Sequence, residues 1–132
     1  MNDDWTNLIE QARAAQQRAY APYSKFRVGA AVQSGQGNLY GGCNVENASY
    51  GATLCAERAA IAVMIAAGET ELQAIAVYTE SLDLTMPCGI CRQVIYEFGK
   101  DVRVLVANPR EQRELMIAEL LPAPFGLKPP SG

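Results

Sequence analysis

The chain contains no histidine. Imidazole is a frequent general base and the commonest metal ligand in proteins, so both roles must fall to other side chains here. A metal ion would have to be held by cysteine or carboxylate groups, and a carboxyl group would have to carry any proton. The absence of one residue type therefore narrows the chemistry of a catalytic site before any motif is considered.

The sequence also lacks basic clusters and long apolar runs. Its 11 Lys and Arg residues are scattered and the net charge is −3. Nucleic-acid binding depends largely on Lys and Arg that neutralise phosphates, so we expect no nucleic-acid partner. The longest apolar run, residues 59–67, is nine residues long. A membrane helix needs about 20 such residues, so we expect no membrane partner either.

The chain does not open with a basic stretch followed by an apolar segment, as a secretory signal does. Four cysteines without such a signal are typical of reduced thiols, which predicts a cytoplasmic protein. A length of 132 residues predicts a single domain over residues 1–132. The Pro- and Gly-rich tail from about residue 122 is expected to be extended.

Two short motifs carry the chemistry. Cys55 stands two positions before Glu57, and a Pro-Cys-x-x-Cys motif supplies Cys88 and Cys91. Three thiolates can hold a Zn²⁺ and leave its fourth tetrahedral position free for water, as catalytic zinc sites do. Such a water ionises far more readily than bulk water, and Glu57 is the candidate proton carrier beside it. The sequence predicts one zinc ion per chain with these three cysteines as ligands.

The residues alone leave other interpretations open. Pro-Cys-x-x-Cys by itself also fits a redox dithiol. Cys43 could complete a closed structural site of four cysteines, although a single cysteine at a strand end is more often a small buried hydrophobe. Glu57 also fits the general preference for acidic residues in the first turn of a helix. The combination of three thiols with one nearby carboxylate favours the catalytic interpretation.

Charge indicates a further requirement. Three thiolates and Zn²⁺ sum to a charge of −1, which opposes the ionisation of a bound water. The N-termini of the two helices that the motifs open carry partial positive charge. Arg58 is the other candidate, and we expect it to act on the metal site without touching the substrate.

Apolar spacing predicts the elements of the fold. Helical spacing predicts three helices, over residues 3–20, 54–67 and 88–98. Alternating or continuous apolar residues predict four strands, over residues 26–33, 39–45, 72–79 and 102–107. Residues 115–121 are expected to add a short strand or a turn of helix. The second helix is apolar nearly all round, which predicts burial on all sides. This order of elements predicts one sheet with helices on both faces.

Beyond the zinc motif, residues 20–125 resemble the cytidine deaminases of the small, homotetrameric, three-cysteine type. The zinc motif is specific to the superfamily, and the Asn-Val-Glu-Asn segment selects nucleoside deaminases within it. Five segments carry the resemblance: Tyr23-Ser24-Lys25-Phe26-x-Val28-Gly29-Ala30, Asn44-Val45-Glu46-Asn47-Ala48-Ser49-Tyr50-Gly51, Cys55-Ala56-Glu57-Arg58, Pro87-Cys88-Gly89-x-Cys91-Arg92-Gln93 and Glu119-Leu120-Leu121-Pro122-x-x-Phe125.

The resemblance implies a three-layer α/β/α sandwich with a mixed five-stranded sheet. It also implies that Asn44 and Glu46 hold the ribose hydroxyls and that Phe26 packs on the pyrimidine. The backbone N–H of Ala56 would bind the carbonyl oxygen of the base, and Phe125 would reach the site of a neighbouring subunit. Without the resemblance, Phe26 would more often be a core residue, Asn44 a turn residue and Phe125 an anchor for the tail.

The activity implied by the resemblance is the hydrolytic deamination of cytidine and 2′-deoxycytidine to uridine and 2′-deoxyuridine with release of ammonia, as in pyrimidine salvage. Two alternatives stay open. A related zinc deaminase acting on a cytosine-containing antibiotic would keep the zinc motif but would not need Asn44 and Glu46. A non-enzymatic zinc or redox module would need only the thiols. Met86 departs from the family, which usually has a small polar residue before this proline.

Overall fold

The computed structural model describes residues 3–127. The helices in this part of the chain are α1 (Asp3–Gln16), α2 (Ala56–Ala66), α3 (Gly89–Glu97) and α4 (Ile117–Leu120), and a 3₁₀ turn covers Tyr50–Ala52. The strands are β1 (Gly29–Ser34), β2 (Leu39–Cys43), β3 (Leu72–Tyr78), β4 (Arg103–Ala107) and β5 (Gln112–Met116). Residues 121–127 form no helix or strand, and the rest of the predicted extended tail lies outside the described residues.

One mixed sheet contains all five of these strands in the order β2-β1-β3-β4-β5. β3 and β4 are parallel, which requires a crossover connection, and α3 lies within that connection. The other neighbouring strands are antiparallel. The prediction of a mixed five-stranded sheet is confirmed.

Helices cover both faces of the sheet. Ile75 and Val77 of β3 pack on one face in a cluster with residues of α2 and α3. Ala74 and Ala76, which alternate with them, pack on the other face with residues of α1. Because both faces of β3 are covered, the strand reads as a continuous apolar run in the sequence. The predicted three-layer arrangement is confirmed, and no helix among residues 3–127 is long and apolar enough to cross a membrane.

Two glycines let the helices approach the sheet closely. A Cβ added to Gly42 in β2 would overlap the backbone of α2 at Ala59 and Ala60. A Cβ added to Gly29 in β1 would overlap the backbone of α1 at Ala12 on the opposite face. Glycine is required at both positions by the space between layers rather than by an unusual backbone conformation.

The segment between α1 and β1 differs from the sequence-based expectation. α1 ends at Gln16 rather than near Tyr20, because the Tyr20 N–H donates to the carbonyl of Asn44 at 3.0 Å and pairs with the segment after β2. β1 begins at Gly29 rather than Phe26, because the backbone before it is bonded to the Asn44 side chain instead of to a neighbouring strand. Both expected boundaries were therefore wrong by three or four residues.

The C-terminal region contains more structure than the apolar pattern indicated. The element expected over residues 115–121 is a strand, β5, that begins at Gln112 and is followed directly by α4. β5 is an edge strand whose first three residues are exposed. Exposed polar residues give no apolar alternation, so the sequence pattern missed the start of this strand.

α2 is less buried than its sequence predicts. One face packs in the core, but five apolar residues on the opposite side are exposed: Ala62, Val63, Ile65, Ala66 and Ala67. Val63 is 45% exposed and Ile65 is 36% exposed. The expectation of burial on all sides is wrong for the single chain. An apolar helix face that remains uncovered is typical of a contact surface between proteins.

Replacing Gly42 with Ala should destabilise the fold by about 1–3 kcal/mol, because the new methyl group would overlap the backbone of α2. Gly41→Ala is the matched control, since a Cβ there meets nothing closer than the Gln11 side chain at 3.4 Å. The control should change the free energy of unfolding by less than about 0.5 kcal/mol. Urea unfolding measures both variants, and equal stabilities would contradict the close packing of β2 on α2.

Candidate metal centre and active site

Three thiols converge where α2 and α3 begin. Cys55 is the N-cap residue of α2, Cys88 is the N-cap residue of α3, and Cys91 lies in the first turn of α3. Their sulfur atoms all lie within 4.8 Å of one another. The structure thus brings together the three residues that the sequence predicts as metal ligands, at two helix N-termini where partial positive charge favours thiolate.

The geometry of the cluster fits a zinc ion. Zn–S bonds of about 2.3 Å in tetrahedral geometry place neighbouring sulfurs about 3.8 Å apart. The sulfurs of Cys55 and Cys88 are 3.9 Å apart, and all three thiols are free rather than joined in a disulfide. Three soft donors at this spacing match the ligand preference of Zn²⁺ and leave one tetrahedral position open.

Cys43 lies on the opposite face of the sheet from this cluster. Gly42 faces α2, so the next residue in the strand faces α1, where Cys43 lines a cleft with Gln11 and Arg18. The metal-ligating group found in the described residues contains Cys55, Cys88 and Cys91 but no fourth cysteine. This arrangement does not favour the closed four-cysteine site.

The cluster and Arg58 perturb one another electrostatically. Hydrogen bonding with the Cys91 thiol, and then with Arg58, lowers the pKa of Cys55 to about 5. The same hydrogen bond with Cys55, together with burial, raises the pKa of Cys91. Arg58 Nη2 lies 3.3 Å from the Cys55 sulfur and 3.4 Å from the carbonyl of Thr53. These contacts therefore favour the thiolate form of Cys55.

One donor of Arg58 has no protein partner. Its Nε is buried and makes no hydrogen bond within residues 3–127. A buried cationic donor without a partner is stabilised by nearby negative charge, and the three thiolates of a metal-loaded cluster would supply it. The position of Arg58 thus agrees with the role that the sequence predicts for it beside the metal.

Glu57 is buried in the first turn of α2, with only 5% of its surface exposed. Burial raises its pKa to about 7, and the Cys55 thiolate acts in the same direction. Both protonation states of this carboxyl group are therefore accessible near neutral pH, which suits a group that takes up and releases protons.

Asn44 is buried and its amide group holds the segment that precedes β1. Its Oδ1 accepts a hydrogen bond from the Val28 N–H at 2.9 Å, and its Nδ2 donates to the Phe26 carbonyl at 2.8 Å. Phe26 itself is 42% exposed and is not part of the core. The structure places Asn44 and Phe26 together through the backbone, a contact that sequence reasoning did not anticipate.

The carboxylate of Glu46 is bonded to the same segment. Oε1 accepts from the N–H groups of Tyr23 and Ser24 at 2.9 and 3.1 Å, and Oε2 accepts from the Ser24 hydroxyl. These bonds, above all the one from the Ser24 hydroxyl, hold the pKa of Glu46 below its usual value. A carboxylate offers about four acceptor positions, so one remains for a ligand.

Glu46 opens onto a cleft of about 250 Å³ whose lining extends to Thr53. The cleft is lined by Tyr23, Ser24, Glu46, Asn47, Tyr50 and Thr53. Thr53 connects this cleft to the metal cluster, because its carbonyl accepts a hydrogen bond from Arg58. Phe26 lines a different cleft with Gln16 and Ser81. In the single chain, Glu46 and Phe26 are thus linked by hydrogen bonds but do not share one cavity.

Two further predicted contacts have different surroundings. Ala56 is fully buried as the first residue of α2, where a backbone N–H has no partner within the helix. Phe125 is 69% exposed, and its carbonyl accepts a hydrogen bond from Gln93 Nε2 at 2.9 Å. The chain's own core therefore does not cover the Phe125 ring.

Arg92 is a supporting residue that the sequence reasoning missed. Its Nε donates to the carbonyl of Pro87 at 2.8 Å, and its Nη1 donates to the carbonyl of Leu120 at 3.1 Å. These bonds hold the turn before Cys88 against the end of α4. The available signal was its position directly after Cys91, where a side chain on the first turn of α3 can reach back to the preceding loop.

Comparison with known proteins identifies the family. Residues 3–107 match the family model of the cytidine and deoxycytidylate deaminase zinc-binding region. The match runs from α1 to β4 and includes all three clustered cysteines. The chain belongs to this family.

Members of this deaminase family are similar to the chain over nearly its whole length. A cytidine deaminase from Mycobacterium tuberculosis is 44% identical over 124 residues, which cover 94% of this chain and 91% of that protein. One from Sporosarcina psychrophila is 41% identical over 124 residues, covering 92% and 91% respectively. The crystal structure of a cytidine deaminase from Burkholderia pseudomallei has a TM-score of 0.88 at 45% identity and covers 95% of this chain and 100% of that chain.

Family membership and the clustered thiols agree on the cofactor. The family model is that of a zinc-binding region, and the only cysteines that cluster within residues 3–127 are Cys55, Cys88 and Cys91. The prediction of one zinc ion per chain is thereby supported. The family consists of deaminases, so the chain is an enzyme.

Each of the variants Cys55→Ala, Cys88→Ala and Cys91→Ala should contain well below one zinc per chain. Each should also have a lower melting temperature, because α2 and α3 meet at the ion. Cys43→Ser is the matched control and should keep one zinc per chain, since Cys43 faces α1. Metal analysis of the purified variants measures the ratio. Loss of zinc from Cys43→Ser would instead indicate a closed site of four cysteines.

Proposed function

We propose that this enzyme removes the amino group of cytidine and 2′-deoxycytidine by hydrolysis. The products are uridine, or 2′-deoxyuridine, and ammonia, as in pyrimidine salvage. The observation that carries the proposal is the convergence of three thiols at two helix N-termini beside the buried Glu57. The Asn-Val-Glu-Asn segment and the cytidine deaminases similar to this chain support a nucleoside as the substrate. We also propose that residues 1–132 act as one domain.

Cys55, Cys88 and Cys91 are the residues that would hold zinc. When bound there, Zn²⁺ supplies a Lewis acid that makes the attacking water easier to ionise. Arg58 and the two helix N-termini offset the negative charge of the thiolates.

Glu57 moves the protons of the reaction. It takes a proton from the attacking water as the water oxygen forms a bond to C4 of the pyrimidine, and it delivers that proton to ring N3. It then transfers the second water proton to the amino group, the C4–N bond breaks, and ammonia leaves as the C4 carbonyl forms. Its burial excludes bulk water from these transfers.

The remaining residues orient the nucleoside. In the proposed complex, the Ala56 N–H donates to the carbonyl oxygen of the base and Phe26 packs on the pyrimidine ring. Asn44 and Glu46 bind the sugar hydroxyls, and Glu46 lines the cleft where a ribose would lie. This arrangement specifies a free nucleoside rather than a base.

We further propose that the chain acts in the cytoplasm as a homotetramer in which Phe125 completes the site of a neighbouring subunit. Two observations support self-association. Phe125 is 69% exposed although its backbone is held by Gln93, and α2 presents the uncovered apolar face that includes Val63 and Ile65. Both features bring large apolar groups to the surface of the single chain, where a second copy would cover them.

Replacing Glu57 with Gln should lower kcat by at least about 10²- to 10⁴-fold while zinc stays bound, because the amide cannot carry a proton between water and base. Glu119→Gln is a matched control that changes a first-turn glutamate of another helix, α4. It should keep nearly full activity. Ammonia release and zinc content are measured together, and near wild-type turnover by the Glu57 variant would remove Glu57 from the mechanism.

The wild-type protein should favour cytidine over cytosine and over cytidine monophosphate in kcat/KM. Cytosine offers no sugar hydroxyls to the remaining acceptor position of Glu46, and the carboxylate of Glu46 repels a nearby phosphate. Glu46→Gln should mainly reduce the advantage over cytosine and keep zinc bound.

The fall in ultraviolet absorbance on deamination gives kcat/KM for each of the three substrates. Comparable values for all three would contradict the ribose assignment. They would favour the alternative of a zinc deaminase that acts on a cytosine-containing antibiotic.

A further inference from the structure

Phe26 lies at the surface with both of its backbone polar groups held by side chains. Its N–H donates to Ser24 Oγ at 2.9 Å, and its carbonyl accepts from Asn44 Nδ2 at 2.8 Å. The ring is 42% exposed and lies outside both core clusters. The position of this ring therefore depends on two side-chain hydrogen bonds rather than on burial or on strand pairing.

The Ser24 hydroxyl connects Phe26 to Glu46. It accepts a hydrogen bond from the Phe26 N–H and donates one to Glu46 Oε2. The N–H of Ser24 also donates to Glu46 Oε1 at 3.1 Å. One hydroxyl thus joins the carboxylate that faces the sugar cleft to the backbone that carries the aromatic ring.

Lys25, between these two residues, has a left-handed backbone with φ of 64°. A non-glycine residue is uncommon in this conformation and persists where the surroundings hold it. The Lys25 N–H donates to the Ala21 carbonyl at 3.0 Å. This turn places the Ser24 hydroxyl where it accepts a hydrogen bond from the Phe26 N–H. The Ser24 hydroxyl is therefore a support of the conformation that orients Phe26.

We propose that Ser24 is a positioning residue that couples Glu46 to Phe26, so that the sugar side and the base side of the substrate site form one unit. The inference rests on the proposed function, in which Glu46 and Phe26 contact the nucleoside. Ser24 acts by holding Glu46 and Phe26 in place rather than by taking part in the reaction. Because the Ser24 hydroxyl holds binding groups and no reacting atom, we expect its loss to raise KM and to leave kcat nearly unchanged.

Ser24→Ala removes the hydroxyl and should raise KM for cytidine about tenfold, the effect of losing one hydrogen bond to a charged group. kcat should change less than about twofold, because the variant leaves Glu57 and the zinc ligands untouched. Ser24→Thr keeps a hydroxyl at the same place and should restore most of the affinity. Failure of Thr to restore KM, or an equal loss in kcat, would overturn the inference.

Ser34→Ala is a matched structural control. At the other end of β1, the Ser34 hydroxyl accepts from the Asn38 N–H at 3.1 Å, and the Asn38 side chain donates to Glu69 Oε2 at 2.8 Å. It is the same kind of link between a carboxylate and a turn, but outside the proposed site. This variant should keep KM at the wild-type value, and a rise equal to that of Ser24→Ala would overturn a specific role for Ser24.

A double-mutant cycle separates this inference from the proposed function. Phe26→Ala alone should raise KM, and adding Ser24→Ala should raise it by clearly less than tenfold, because the hydroxyl then has only the Glu46 carboxylate left to hold. An unchanged KM in Phe26→Ala would overturn both the base contact and the inference. A raised KM that rises tenfold again in the double variant would keep the base contact but overturn the coupling of Glu46 to Phe26 through Ser24.

Discussion

The rest of the structure depends on one constraint, the meeting of three thiolates at a single point. Two of them, Cys55 and Cys88, are 33 residues apart and cap different helices, so α2 and α3 must begin at the same place. The sheet makes this possible because both helices cover the same face, over the core cluster that includes Ile75 and Val77. Gly42 lets α2 lie close to β2, and Arg92 ties the turn before Cys88 to the end of α4. Core packing thus supports the metal geometry directly.

The choice of cysteine over histidine has an electrostatic consequence. Thiolates bring more negative charge to zinc than neutral imidazoles do, and this charge opposes the ionisation of water at the metal. The chain offsets it with two helix N-termini and with Arg58, whose Nη2 lies 3.3 Å from the Cys55 sulfur. Glu57 is held in the same first turn but is buried, so that its pKa rises to about 7. One short helical segment therefore provides a thiol of the cluster, a counter-charge and, in the proposed mechanism, the proton carrier.

The clustering of Cys55 with Cys88 and Cys91 was predicted from the metal-ligand motif, and the part of this site at the start of α2 could be predicted because its geometry is local. Cys55, Glu57 and Arg58 occupy adjacent positions at a helix start, and any helix that begins there places them together. The proposed substrate contacts were expected only through family resemblance, since Asn44 and Glu46 bond with residues 16 to 23 positions away. No local sequence pattern indicates such contacts, and the hydrogen bonds of Ser24 with Glu46 and Phe26 were not predicted for that reason. The all-round burial of α2 was wrong because a single chain covers only one side of the helix.

The most direct test of the account is X-ray absorption at the zinc edge of the purified wild-type protein. An open catalytic site of Cys55, Cys88 and Cys91 predicts three sulfur ligands at about 2.3 Å and one oxygen ligand at about 2.0 Å. Addition of a competitive nucleoside analogue should change the oxygen shell and leave the sulfur shell intact. Four sulfur ligands, or a spectrum that no nucleoside alters, would contradict an open three-cysteine site and the hydrolytic function built on it.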